Sequence, residues 1–182
     1  MALPVTSTIL LHPGLWNSGE AHWQSHWEKT YGFERIIQDN WDTPVCAEWI
    51  ARLDEIVLQN NPENIILVGH SLACATIVFW AKQYNRRIKG ALLVAPSDTE
   101  GPVYPDCTTG FQPMPLHPLP FPSIVINSLD DVYVSPERAR QFAQAWGSEL
   151  VEIDGYGHIN SDSNLGLWPF GYDQLVRLDA AV

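Results

Sequence analysis

Apolar, β-rich runs alternate with longer helical stretches along the chain, which predicts an α/β fold: a three-layer α/β/α sandwich around a mostly parallel, six-stranded sheet. Composition agrees. With 182 residues, 46% of them hydrophobic and 17% charged, the chain is long enough to bury a sizeable core as one domain over residues 1–182. The sequence has no internal repeats and no linker that would divide it.

The elements follow in order. Residues 6–11, with Ser7-Thr8-Ile9-Leu10-Leu11, read as the first strand. A helix over 19–30 carries Trp23 and Trp27 one turn apart, a spacing that packs one face on a sheet. A strand at 33–38 and a helix at 46–59 come next, then a strand at 64–69 that breaks into a helix of small residues at 71–84. After a strand at 88–95 the pattern stops. Between 102 and 122 lie seven prolines, which exclude regular structure and stiffen the segment in extended form. Residues 96–122 therefore predict a rigid lip over the site, with Tyr104, Phe111, Met114 and His117 as candidate wall residues. A strand at 123–128, a helix at 135–146, a strand at 149–153 and a helix near 168–180 complete the chain.

The chemistry concentrates at Gly69-His70-Ser71-Leu72-Ala73, between strand and helix. This matches Gly-x-Ser-x-Gly, a sharp turn that holds a serine hydroxyl above the sheet edge, with Ala73 standing for the second glycine. A serine hydroxyl is a poor nucleophile until a base takes its proton, so the turn predicts an acid and then a histidine downstream. Asp130 and Asp131 follow the 123–128 strand, and His158 follows the 149–153 strand among glycines that suggest a mobile, exposed loop. Asp131-Val132-Tyr133-Val134 resembles the Asp-x-x-Val turn of α/β-hydrolases, which favours Asp131 and leaves Asp130 to solvent or to capping the turn. An oxyanion also needs backbone donors. Leu72 N–H is one, and the loop His12-Pro13-Gly14-Leu15-Trp16-Asn17 offers Leu15 N–H, with Trp16 N–H as the alternative.

Three segments carry a family resemblance: His12-Pro13-Gly14 with Asn17-Ser18-Gly19 and His22-Trp23-Gln24; Gly69-His70-Ser71; and Gly157-His158-Ile159-Asn160-Ser161 with Leu167-Trp168-Pro169. On these the chain resembles the small α/β-hydrolases of the retinoblastoma-binding protein 9 family. The resemblance implies a minimal, capless α/β-hydrolase core with a triad at Ser71, Asp131 and His158, and little about substrate. Six strands are fewer than the full hydrolase core, the first two edge strands of the larger fold being absent from the pattern.

The remaining features narrow the function. No apolar run reaches the roughly 18–20 residues of a membrane span, and Met1–Thr6 has no basic region or cleavage site, so a cytoplasmic protein is expected. Cys46, Cys74 and Cys107 are an odd number without metal-ligand spacing, so no disulfide framework is expected, and Cys74 is expected in the core. A net charge of −11 discourages nucleic acid as a partner. His22 and His26 have zinc-like i, i+4 spacing but lack the Glu of His-Glu-x-x-His. His70 reads as a packed neighbour, His12 as a loop-ordering residue, and Trp16 as the tryptophan at the pocket mouth. The expected reaction is hydrolysis of small carboxylic esters without a cofactor, on a small-molecule acyl substrate. Amide or peptide cleavage is the alternative within the same chemistry, and a protein-binding module on a hydrolase fold the alternative outside it. The nearest stretch to a Leu-x-Cys-x-Glu pocket-protein motif, Pro44-Val45-Cys46-Ala47-Glu48, lacks the leucine, so no protein partner is identified.

Overall fold

The computed structural model describes residues 5–181; residues 1–4, on which the expectation of no leader partly rests, and residue 182 lie outside the described residues. The elements run β1 (Thr8–His12), α1 (Trp23–Tyr31), β2 (Glu34–Arg35), α2 (Cys46–Leu58), β3 (Ile65–His70), α3 (Leu72–Tyr84), β4 (Gly90–Val94), β5 (Ser123–Ser128), α4 (Pro136–Trp146), β6 (Glu149–Ile153) and α5 (Pro169–Ala181). Six strands pair in the order β2-β1-β3-β4-β5-β6, every pairing parallel.

Successive strand residues face opposite sides, so the apolar runs supply both layers at once. Leu10, Leu67, Leu93 and Val125 face α2, α3 and α4. Ile9, Leu11, Ile66, Val68, Leu92, Val94 and Ile126 face α1 and α5, where Trp23, Trp27, Leu175 and Leu178 cover them. Each such buried Leu, Ile or Val is worth about 1.5–3 kcal/mol relative to exposure.

Three elements are shorter than their sequence patterns suggest, one of them β4, which keeps Gly90–Val94 of the expected 88–95. Helix α1 starts at Trp23 and not near 19, because residues 19–22 form a turn (His22 N–H to Gly19 O, 3.0 Å) and His22 caps the helix, its Nδ1 accepting from Gln24 N at 3.1 Å. Strand β2 keeps two residues of the expected 33–38. It is an edge strand, and beyond it Gln38 turns inward to bond His12 Nε2 (3.2 Å) and Trp49 O (3.1 Å).

The proline-rich stretch forms no helix or ladder strand but is firmly held. Thr109 exchanges bonds with Pro44 O (2.9 Å) and Cys46 N (2.8 Å), Trp146 Nε1–H donates to Pro115 O (2.8 Å), and Arg138 pairs with Asp98 (3.2 Å) and Glu100 (2.5 Å). Of the four candidate wall residues only Tyr104 lines the central cavity. Phe111 and Met114 are buried in the α2–α4 core, Phe111 edge-on to Trp49 and Phe79, and His117 is half-buried away from the cavity. Prolines leave apolar residues between them free to turn inward, and these fill the gap beside α2.

Candidate active site

Because all strands are parallel, their carboxyl ends meet along one edge, and there the loops after β1, β3, β4, β5 and β6 converge. Ser71 sits between β3 and α3 with φ 58° and ψ −122°, a positive-φ conformation that an L-residue adopts only under constraint. Its N–H is tied to Val94 O at 3.0 Å. Gly69 is required by space: a Cβ there would lie 2.8 Å from Ile77 Cδ1 and 3.3 Å from the backbone of Ala73 and Cys74.

Ser71 Oγ lies 2.8 Å from His158 Nε2, and His158 Nδ1 lies 2.8 and 3.0 Å from the two carboxylate oxygens of Asp131. A carboxylate only accepts, so the Nδ1 proton points at Asp131, and Nε2 is left as the acceptor for the Ser71 hydroxyl. The Asp131 side chain is fully buried and also accepts from Tyr133 N–H at 2.9 Å. Asp130 does a different job. It accepts from Ser128 Oγ (2.5 Å) and Gly157 N–H (3.0 Å), and these bonds, Ser128 first, hold its carboxyl below the usual range.

The loop carrying His158 is not the free, exposed loop that its glycines suggest. Gly155 and Gly157, at φ 78° and 53°, make the tight turn. Trp23 Nε1–H then donates to Ile159 O (2.9 Å), His70 Nε2–H to His158 O (2.9 Å) and Tyr156 N–H to Ser128 Oγ (3.1 Å). The imidazole is packed between His70 (ring centroids 5.0 Å apart) and Tyr133 (4.5 Å). Burial holds the neighbouring histidines neutral: His12 falls to about 4, His22 to about 3 with help from Arg35, and His70 well below its ordinary value.

Gly14 brings the β1 loop against the serine turn. A Cβ at that position would stand 2.8 Å from His70 O and 2.9 Å from Ser71 Cβ. Among the described residues, Leu15 N–H and Leu72 N–H make no hydrogen bond, whereas Trp16 N–H is occupied by Trp41 O at 3.0 Å. The structure thus leaves Leu15, and not Trp16, with a free donor beside Leu72. His12 orders this loop from beneath, its Nδ1–H donating to Pro13 O at 2.8 Å.

The cavity over Ser71 has a volume of about 220 Å³ and no Lys, Arg, Asp or Glu in its lining. Trp16, 60% exposed, stands at its mouth. Sequence reasoning missed Ser97, whose Oγ is 2.8 Å from Ser71 Oγ, and Tyr133 on the cavity wall. Ser97 follows Ala95-Pro96 at the end of a strand, and no local pattern distinguishes it from a turn serine. His22 caps α1 and does not pair with His26; among the described residues no three His, Cys, Asp or Glu side chains gather as a metal site would require. Nor is any helix of the described residues long and apolar enough to cross a membrane.

A solved YdeN-like hydrolase from Pectobacterium atrosepticum is 32% identical, covers 96% of this chain and 91% of its own, and superposes with a TM-score of 0.84. The ydeN gene product of B. subtilis shares 22% identity over 96% of this chain and all (100%) of its own, TM-score 0.77. A monoacylglycerol lipase from Paleococcus ferrophilus shares the fold at 13% identity, covering 100% of this chain and 97% of its own, TM-score 0.71. No curated protein matches the chain in sequence. The family model described as serine hydrolase matches residues 9–177, so the chain belongs to the serine hydrolase family.

Proposed function

We propose that the chain hydrolyses small, uncharged carboxylic esters through an acyl-enzyme on Ser71. The observation that carries this reading is the continuous relay Asp131–His158–Ser71, with both the Asp131–His158 and the His158–Ser71 links as short as 2.8 Å. In the first half-reaction Ser71 Oγ attacks the ester carbonyl while its proton passes to His158 Nε2. The carbonyl electron pair moves to oxygen, facing Leu72 and Leu15 N–H. His158 then gives the proton to the departing alcohol, and water repeats the sequence with the acyl-enzyme. Asp131 orients the imidazole and stabilises its charged form. No cofactor takes part.

Substrate class follows from the cavity. Its size of about 220 Å³ suits a short acyl group, and a lining without charged side chains offers an ionised substrate no partner. Esters are favoured over amides because an alkoxide departs with less protonation than an amine. The narrower likeness to retinoblastoma-binding protein 9 rests on the same three sequence segments. Unpaired cysteines and the net charge of −11 support a cytoplasmic setting and a small-molecule partner in place of nucleic acid or an anionic membrane.

A fluorophosphonate probe followed by intact-mass analysis tests the proposal without assuming a substrate. A single adduct is expected on the unaltered protein and none on folded Ser71→Ala or His158→Ala, with ester turnover exceeding amide turnover on matched acyl groups. A folded protein that takes no adduct overturns the hydrolase mechanism; faster amide turnover overturns the ester assignment.

A further inference from the structure

We propose that Ser97 is a further catalytic residue, whose hydroxyl donates to Ser71 Oγ and assists its departure when the acyl-enzyme is hydrolysed; the proposal rests on the covalent mechanism above. The two oxygens are 2.8 Å apart. Either hydroxyl could donate in isolation, but Ser71 has one proton and His158 Nε2 lies 2.8 Å from it as an acceptor. With that proton committed, the bond between the serines runs from Ser97 to Ser71.

Ser97 is fixed for this task. It is 5% exposed, lies just beyond β4, and among the described residues its Oγ has no hydrogen-bond partner other than Ser71. Its neighbour Asp98 is tied through N–H to Tyr133 O at 3.0 Å, next to the turn that carries Asp131. Sheet order puts β1 on one side of β3 and β4 on the other, so Ser97 flanks Ser71 opposite the β1 loop that carries Leu15. It therefore acts on the nucleophile oxygen and not on the carbonyl oxygen.

The consequence differs between the two half-reactions. In the acyl-enzyme Ser71 Oγ is an ester oxygen, a weak acceptor. Water adds to the acyl carbon, its proton passes to His158 Nε2, and the carbonyl pair moves to oxygen. As the tetrahedral species collapses, the carbon–Oγ bond breaks, its electron pair stays on Oγ, and His158 returns the proton to that oxygen. Charge grows on Oγ during this step, so a donor already aimed at it strengthens in the transition state, which is the condition for acceleration. The Ser97 proton never transfers. Attack by the resting serine starts from a hydroxyl that already accepts the Ser97 bond, so the gain between ground and transition state is smaller.

The test separates the steps. Ser97→Ala, Ser97→Cys and Ser97→Thr are compared with the unaltered protein in two rates: fluorophosphonate labelling, and decay of the acetyl-enzyme formed with p-nitrophenyl acetate, both by intact mass. For Ser97→Ala, decay is expected to slow roughly tenfold and labelling by less than about threefold, the scale of one hydrogen bond to a developing charge. Ser97→Cys, slightly larger and only a weak donor, is expected to follow Ser97→Ala, while Ser97→Thr, which keeps the hydroxyl, retains both rates within about threefold. Equal losses in the two rates would reduce Ser97 to holding Ser71 in place, and unchanged rates would make its hydroxyl idle; either result overturns the proposal. An unaltered protein that takes neither label nor acetyl group instead sinks the covalent mechanism itself, an outcome distinct from both.

Discussion

Two adjacent aspartates, identical in chemistry, have different partners because the chain turns there, just beyond the end of β5 at Ser128. Asp131 faces His158 Nδ1 from a fully buried position, whereas Asp130 accepts from Gly157 N–H and Ser128 Oγ. Asp131→Asn is expected to lower turnover by about 10³–10⁴-fold, because the amide no longer fixes the proton on Nδ1. Asp130→Asn keeps an acceptor for Gly157 N–H, and a loss under about fivefold is expected, the scale of one weakened hydrogen bond; comparable kcat losses in the two would contradict the division of roles. The distinction was legible from the Asp-x-x-Val resemblance. Gly14 was not, because the atoms it must avoid belong to another strand's exit and are remote in sequence. An added methyl there meets His70 O at 2.8 Å and Leu72 N at 3.2 Å, backbone atoms that cannot swing aside. Gly14→Ala should therefore displace Leu15 N–H and lower kcat by about 10²–10³-fold, as loss of an oxyanion donor does. Unchanged kcat in the folded variant would remove Leu15 from that role.

At the scale of elements, the order of strands and helices was readable because the period of apolar residues changes between them, and continuous apolar runs predicted strands covered on both faces. Element ends were less readable. The start of α1 depends on His22 acting as a cap, and the brevity of β2 on Gln38 being drawn under the β1 loop, both long-range facts. The same reason hid the rigidity of the His158 loop. Its glycines describe the turn, but its restraint comes from Trp23 on α1 and His70 on β3. Trp23→Phe tests the restraint. The ring remains largely filled while Ile159 O loses its donor, so stability should fall by about 1–3 kcal/mol in urea unfolding. The fluorophosphonate labelling rate should fall as well, because Ile159 adjoins His158. A stability loss with an unchanged labelling rate would show that the bonds from His70, Tyr156 N–H and Gly157 N–H position the loop without Trp23.

Over the whole molecule, two electrostatic effects oppose each other as pH falls. The net charge of −11 and isoelectric point near 4.7 mean that mild acid relieves self-repulsion, which favours the compact state. Buried histidines act the other way. Desolvation lowers His12 to about 4 and His22 to about 3, both from 6.5, so between 6.5 and those values the unfolded chain binds protons that the folded chain refuses. Stability conferred by keeping them neutral is complete above 6.5 and is lost as pH falls toward 3–4, each group contributing up to about 1.4 kcal/mol per pH unit. Asp179, lowered to about 2 from 3.8 despite burial by Lys89 and its Ser7 and Thr6 partners, loses its contribution only below that window. Surface repulsion is screened over a Debye length of about 8 Å at physiological salt, whereas the histidine terms are interior and unscreened. The histidines should therefore dominate, and the unfolding free energy should fall from pH 7 to pH 5 even as net charge approaches zero. His22→Asn supplies the control: asparagine can cap α1 in place of the imidazole but does not titrate, so the pH slope should decrease by up to about 1.4 kcal/mol per unit. Stability that rises toward pH 5 in the unaltered protein would mean that surface charge governs acid behaviour, and a slope unaffected by His22→Asn would remove His22 as one of its sources.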